Sequence, residues 1–212
     1  MENFRIKLIL ASASPRRKEL IGYLGIPFEI KTSNVPEESF ETDPVKFSLE
    51  IAKLKGEAVL KELIKVESLA PIYVISADTI VCSAGKIYGK PRNREEAREF
   101  LTELSGRTHS VFTSVSAQFL LNGKLEVLDF TEESKVTFND INIQLMENYL
   151  DTGDSLDKAG AYGIQGPSLT FISRVDGDYA NVVGFPLSRF VVESQSFFKS
   201  VLNHEELWQS LF

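Results

Sequence analysis

The chain has 212 residues, 43% of them hydrophobic and 25% charged, with a net charge of -7. That is the composition of an ordinary globular protein with ample length for a core, and the negative balance argues against a binder of nucleic-acid polymers, which needs a broad basic surface. One cysteine, Cys82, leaves no disulfide framework and points to the cytoplasm. With only His109 and His204 beside it, a Cys/His zinc site is not expected, and no nucleophile-elbow sequence supports a Ser-His-Asp hydrolase. Glu2, Arg5 and Lys7 interrupt the start and no apolar run approaches about 18 residues, so neither a signal peptide nor a membrane span is expected.

Ile6 to Ala11 reads as a short apolar strand that runs straight into Ser12-Ala13-Ser14-Pro15-Arg16-Arg17. Ser14 suits an N-cap and Pro15 the first helical position. Leu20, Ile21 and Leu24 give the helix one apolar stripe, and Gly25 is placed to end it. A strand-loop-helix of this kind presents backbone N–H groups to an anion. Two arginines in the first turn oppose the helix dipole, which makes more sense if Arg16 or Arg17 faces a phosphate; an ordinary capped helix with solvated arginines is the alternative. Phe28 to Lys31 reads as a second strand, followed by an irregular acidic segment, Val35 to Thr42, that carries Glu37 and Glu38. Asp43-Pro44 opens a long helix to about Lys65, with Ile51, Leu54, Ala58 and Leu63 as its apolar face; Lys55 near its middle reads, taken alone, as solvated.

The stretch Tyr73 to Pro91 organises the rest. Ile72, Val74 and Ile75 begin a buried strand that stops at Asp78, followed by Thr79. A second run, Ile80 to Cys82, leads through the turn Ser83-Ala84-Gly85-Lys86 to a return arm, Ile87 to Gly89, which ends on Lys90 and Pro91. Ligands of open α/β sheets bind where strands end, so the acid and the lysine fall within reach of one cleft; a strand-ending acid and a solvated lysine would look the same. Asn93 caps a helix with Glu96 three residues on, Ala97, Phe100, Leu101 and Leu104 form its buried face, and Gly106 ends it. Val111 to Leu121, the hairpin signal Asn122-Gly123 and Leu125 to Phe138 make a long antiparallel pair with one wet face. Ile141 to Leu150 reads as a short helix capped by Asp140.

The run from Asp157 to Gly166 holds three glycines and two alanines, so backbone lies close to something there, and it also carries Lys158 and Gln165. Leu169 to Ile172 reads as a strand, Asp176-Gly177 as a turn and Ala180 to Phe185 as an apolar segment. Pro186 opens the last helix, with Leu187, Phe190 and Val191 inward. No repeat or linker divides the chain, so residues 1–212 are taken as a single domain.

LILASASPRRKEL, ISADTIV, YGKP, LSGRTHSV, DKAGAYGIQG and DGDYANVVGFPL, in that order from Leu8 to about Leu187, resemble the Maf-type nucleotide pyrophosphatases, also called septum-formation inhibitor proteins. Each motif is modest; six in order are highly specific. The resemblance implies a Maf/ITPase-like α/β fold, an extended mixed β-sheet flanked by helices with two lobes around a central cleft. It also implies cleavage of nucleoside triphosphates to monophosphate and pyrophosphate with a divalent metal cation, Mg²⁺ or Mn²⁺. Carried over by motif, Asp78 is the catalytic base, while Ser12, Arg16, Arg17, Thr79 and Gln165 bind substrate and set specificity. Lys55, Lys90 and Lys158 look like the lysines of the phosphate cleft. Thr79 and Gln165 are similar to the branch acting on dTTP and UTP. Where the family has Val-acid-Glu, this chain has Val35-Pro36-Glu37-Glu38, so either Glu37 or Glu38 would join Asp78 at the metal. The partner implied is a nucleoside triphosphate, with no nucleic-acid polymer and no membrane, and a homodimer is compatible with it.

The chemistry points the same way. A triphosphate carries close to four negative charges, which cations must offset, and an Mg²⁺-type ion prefers carboxylate and phosphate oxygens. A pyrimidine offers a carbonyl and an N–H, which the Gln165 amide matches with one donor and one acceptor. A phosphoryl- or nucleotidyl-transferase would need a second substrate, and a nucleotide-sensing regulator of cell division would have no use for Asp78 as a base.

Overall fold

Among the described residues, 5–65 and 71–212 of a computed structural model, short β-branched runs assemble into a seven-stranded mixed sheet. Glu2 lies outside them. The strands are β1 (Lys7–Leu10), β2 (Glu29–Ile30), β3 (Ile72–Ser83), β4 (Lys86–Tyr88), β5 (Thr108–Leu121), β6 (Lys124–Phe138) and β7 (Ile172–Asp176). Their order is β2-β1-β3-β5-β6-β7, with β4 on the free edge of β3. β1 runs parallel to β2 and β3; the other pairs are antiparallel. The helices are α1 (Pro15–Gly22), α2 (Pro44–Ile64), α3 (Arg94–Leu104), α4 (Ile143–Asp151), α5 (Tyr179–Val183) and α6 (Leu187–Leu202). Local signals set several ends. The Ser14, Asp43 and Asn93 side chains each accept a backbone N–H of the first turn of α1, α2 and α3, and Asn122 and Gly123 take the positive φ that a tight hairpin requires.

β3 decides where the site lies. β1 pairs with it only from Ile72 to Ile75, and β4 only from Val81 to Ser83. Residues 76–80 therefore have no strand neighbour on that edge, while β5 holds the other edge throughout. The strand does not stop at Asp78, as its sequence suggested; it continues to Ser83. β1 ends before Asp78, with Leu10 opposite Ile75, and a gap in pairing opens the edge of β3.

Two apolar cores line the same sheet face along the long strands. Tyr73, Ile75 and Ala77 pack with Val115, Phe119, Phe190, Phe198 and Trp208 in one. Val81 and Val111 pack with Leu101, Leu104, Phe138, Tyr162 and Phe171 in the other. Between them the register places Thr79 opposite Thr113, so the seam of the two halves is polar. On the opposite face, α2 covers Ile72 and Val74 with Val59, Leu60 and Leu63. It then approaches so closely at Gly56 that a Cβ there would stand 2.7 Å from the Ser76 hydroxyl.

Several local expectations change. The stripe of α2 is Ser48, Ile51, Ala52, Lys55, Val59, Leu60 and Leu63, with Leu54 turned outward. α4 is capped by Asn142 rather than Asp140, because Asn142 accepts the Leu145 N–H at 2.9 Å. Pro167–Thr170 forms a 3₁₀ turn where a strand was expected, and the strand begins after it, at Ile172. Asp178 caps a helix through the apolar segment around Ala180, since its carboxylate accepts the Ala180 N–H.

Candidate active site

The pairing gap of β3 opens into a cleft of about 870 Å³. Its walls come from the β1–α1 loop, Glu37 of the segment before α2, Lys55 of α2, β3, Lys90 after β4, the 154–165 loop and the end of α5. Five cationic side chains, Arg16, Arg17, Lys55, Lys90 and Lys158, face four acidic ones, Glu37, Asp78, Asp154 and Asp157. On a chain of net charge -7 the cleft thus carries one more cation than acids, in ion pairs that an anion could rearrange.

Asp78 is 7% exposed and takes the Lys55 ammonium on Oδ1 at 2.7 Å. Burial is the largest influence on its carboxyl and pushes the pKa above the usual carboxylate value; Lys55 and Arg17 work against that rise without cancelling it. Lys55, itself only 9% exposed, also meets Glu37 Oε1 at 2.9 Å, and Lys90 meets Glu37 Oε2 at 3.2 Å. Burial alone would raise Glu37, but the two lysines outweigh it and hold the carboxyl below its ordinary value. Lys55, which taken alone reads as solvated and by resemblance as a lysine of the phosphate cleft, stands at the centre of the charge cluster. Glu38 is not brought to the cleft. It is exposed and lies beside Ser39 and Phe40 instead.

The opposite face of β3 carries Thr79. Its hydroxyl receives Arg17 Nη2 at 3.0 Å and meets Thr113 Oγ1 at 2.9 Å. Arg17 also donates to the Gly184 carbonyl at 2.8 Å and to Ser12 Oγ at 3.3 Å, and burial lowers its pKa. It is therefore a brace linking α1, β3 and the end of α5. Ser12 closes the loop by accepting the Ser14 N–H, which leaves the N–H groups of Ala13 and Arg16 without an acceptor among the described residues. Arg16 points into the cleft and contacts Asp157 at 3.5 Å. Lys158 lines the cleft with its stem, but its ammonium is held by Asp154 O, Asp154 Oδ1 and Asp157 Oδ1, each at 2.7 Å. Gln165 is exposed on the cleft wall, with no partner for its amide among the described residues. Its loop rests on a buried pair, His109 Nε2 to Tyr162 Oη at 2.6 Å.

Sequence reasoning missed Asp154, whose acid holds Lys158, and Thr113, which a strand threonine gives no means to notice. The helix pattern taken alone passed over Lys55, although Lys55 lies four residues from both Ile51 and Val59 on the buried stripe of α2.

Residues 7–196 match the family described as Maf-like protein. The chain belongs to that family. Proteins named dTTP/UTP pyrophosphatase share 43% identity with it over 184 residues in Thermoanaerobacter sp. (87% of this chain, 93% of the relative). Those of Deinococcus radiodurans and Bacillus cereus share 42% over 182 residues and 41% over 197, covering 86% and 92% of this chain and 88% and 92% of their own. A solved nucleoside-triphosphatase / dITP/XTP pyrophosphatase from Mycobacterium abscessus aligns over 92% of this chain and 98% of its own at 14% identity and a TM-score of 0.37. Among the described residues no helix is long and apolar enough to cross a membrane.

Proposed function

We propose that this protein hydrolyses UTP and dTTP to the monophosphate and pyrophosphate in the β3 cleft. The observation that carries the reading is a buried Asp78 ion-paired to Lys55 in a cleft lined by five cations. The named activity of relatives more than 40% identical supports it.

In this reading Asp78 takes a proton from the attacking water. Its Oδ1 is committed to Lys55 and its Oδ2 has no partner among the described residues, so one oxygen is oriented and the other is available. The water oxygen bonds to the α-phosphorus, the bond from that phosphorus to the bridging oxygen breaks, and the pyrophosphate leaves with the electron pair. Arg16, Lys90 and the free N–H groups of the β1–α1 loop offset the charge that accumulates on it. Lys90 is suited to this. Its ion pair with Glu37 is about half exposed, worth at most ~1 kcal/mol, and is readily exchanged for a phosphate. Lys158, already held by two acids, braces the loop that presents Gln165.

A divalent cation fits the donor set. Among the described residues no group of three or more His, Cys, Asp or Glu side chains could hold a metal alone, but Asp78 and Glu37 stand on the same side of the cleft, joined through the Lys55 ammonium. Mg²⁺ characteristically takes one or two carboxylates and completes its shell with phosphate oxygens and water. Held by Asp78 and Glu37 with Lys55 still between them, it would supply charge neutralisation on the triphosphate. The test is a panel of UTP, dTTP, CTP, ATP and GTP scored for pyrophosphate release with Mg²⁺, Mn²⁺ or neither. UTP and dTTP hydrolysis that needs the metal is the expected result; equal rates on all five, or release without metal, contradict it.

A further inference from the structure

The hydroxyl of Thr79 stands where the two cores meet, and its surroundings fix which way its proton points. Thr113 Oγ1 lies 3.0 Å from the Asn181 carbonyl and 2.9 Å from Thr79 Oγ1. A threonine hydroxyl has one proton and two lone pairs. The Asn181 carbonyl can only accept, and Thr113 is completely buried, so its single proton goes to that carbonyl. Thr113 must then accept from Thr79. Arg17 Nη2, at 3.0 Å, fills one of the two lone pairs of Thr79. What Thr79 can still offer the cleft it lines is one lone pair and no proton. The carbonyl that starts the chain is itself fixed, because Asn181 Nδ2 donates to Val111 O at 3.1 Å and Ser134 Oγ at 3.0 Å, and Ser134 donates to Asp178 O at 3.0 Å.

We propose that Thr113 is a specificity-determining positioning residue, which holds the Thr79 hydroxyl as an acceptor and so selects bases whose ring nitrogen carries a proton. The inference rests on the reading of the cleft as a pyrimidine triphosphate site. Uracil and thymine present a ring N–H between two carbonyls. Cytosine presents a bare ring nitrogen at the same place, so two acceptors would meet, and a site that pairs its own polar groups rejects such a mismatch strongly. The DGDYANVVGFPL segment gains a role in this way: it supplies the carbonyl that sets the direction of the chain.

The experiment measures kcat/KM for UTP, CTP and ATP in the wild type, Thr113→Val, Thr113→Ser and Thr79→Val. A ratio between substrates does not depend on the folded fraction, so partial destabilisation of a variant does not enter. In Thr113→Val the Thr79 proton is free to turn into the cleft, and the UTP/CTP ratio should fall about tenfold or more. Thr113→Ser keeps the hydroxyl and should keep the wild-type ratio. An unchanged UTP/CTP ratio in Thr113→Val, beside a changed one in Thr79→Val, overturns the role of Thr113 and leaves the pyrimidine reading standing. A wild type that does not prefer UTP to ATP, or a ratio indifferent to Thr79→Val, overturns the pyrimidine reading and this inference with it.

Discussion

Asp78 and Thr79 are consecutive, yet they work in opposite surroundings. Strand alternation turns Asp78 toward α2, where its contact is a charge, Lys55 at 2.7 Å, with Glu37 and Lys90 beyond it. It turns Thr79 to the other face, where its partners are Arg17 and a chain of neutral hydrogen bonds through Thr113 and the Asn181 carbonyl. Both faces become accessible from one cleft only because β1 and β4 leave residues 76–80 of β3 unpaired on that edge. One pairing gap thus exposes a charged face suited to phosphate chemistry and a polar face suited to reading a base.

The largest expected effect breaks the charged face alone. Asp78→Asn keeps the size and removes the base, and kcat should fall by about 10²–10⁴, by one common factor for UTP and ATP, with the fold retained by circular dichroism. A variant with half the wild-type rate would remove Asp78 from the chemistry. Next is the loop opposite. Gly160 has φ +66°, and a Cβ there would lie 2.8 Å from Val81 Cγ2, so Gly160→Ala should lower stability by about 1–3 kcal/mol in a denaturant melt. A change under about 0.5 kcal/mol would mean that the loop does not need its close seat on Val81.

Gln165→Glu touches only the recognition side. It keeps an acceptor and removes the amide donor, so kcat/KM for UTP and dTTP should fall at least about tenfold, roughly 1.4 kcal/mol, while the preference over purines narrows. If all triphosphates lose rate equally, Gln165 serves its own loop instead. The smallest effect is a slope in pH. Burial lowers His109 to about 4 from its ordinary 6.5. The stability this contributes is fully present above the unfolded-state value and is lost as pH falls from there toward about 4, because only the unfolded chain takes up the proton. The loss is at most about 1.4 kcal/mol per pH unit. Urea midpoints at pH 7 and pH 5 should differ more for the wild type than for His109→Gln; equal differences would place the acid sensitivity elsewhere.

What was legible in the sequence was local. Ser14-Pro15, Asp43-Pro44 and Asn93 with Glu96 announce helix starts through bonds made within three residues, and Asn122-Gly123 a hairpin. Tertiary geometry was not. Asp78 looked like the end of a strand because the polar residue interrupts an apolar run, whereas the structure ends β1 opposite Ile75 and carries β3 past Asp78 to Ser83. Pro167–Thr170 forms a 3₁₀ turn although Leu169 and Thr170 suit a strand. The candidate site was legible as a set of motifs: Arg16, Arg17, Lys55, Asp78, Thr79, Lys90, Lys158 and Gln165 all line one cleft. Their division of labour was not, since Lys158 spends its ammonium on Asp154 and Asp157, and nothing near Thr113 in sequence predicts that it meets Asn181.

The division of labour across β3 is tested most directly by a crystal structure with a UTP analogue whose α–β bridge is a methylene group, grown with Mg²⁺. The base should lie within hydrogen-bond distance of Thr79 Oγ1 and the Gln165 amide, with the α-phosphorus on the Asp78 side and the β- and γ-phosphates toward Arg16 and Lys90. A base seated between Lys55 and Lys90, or phosphates against Thr79, would contradict the account.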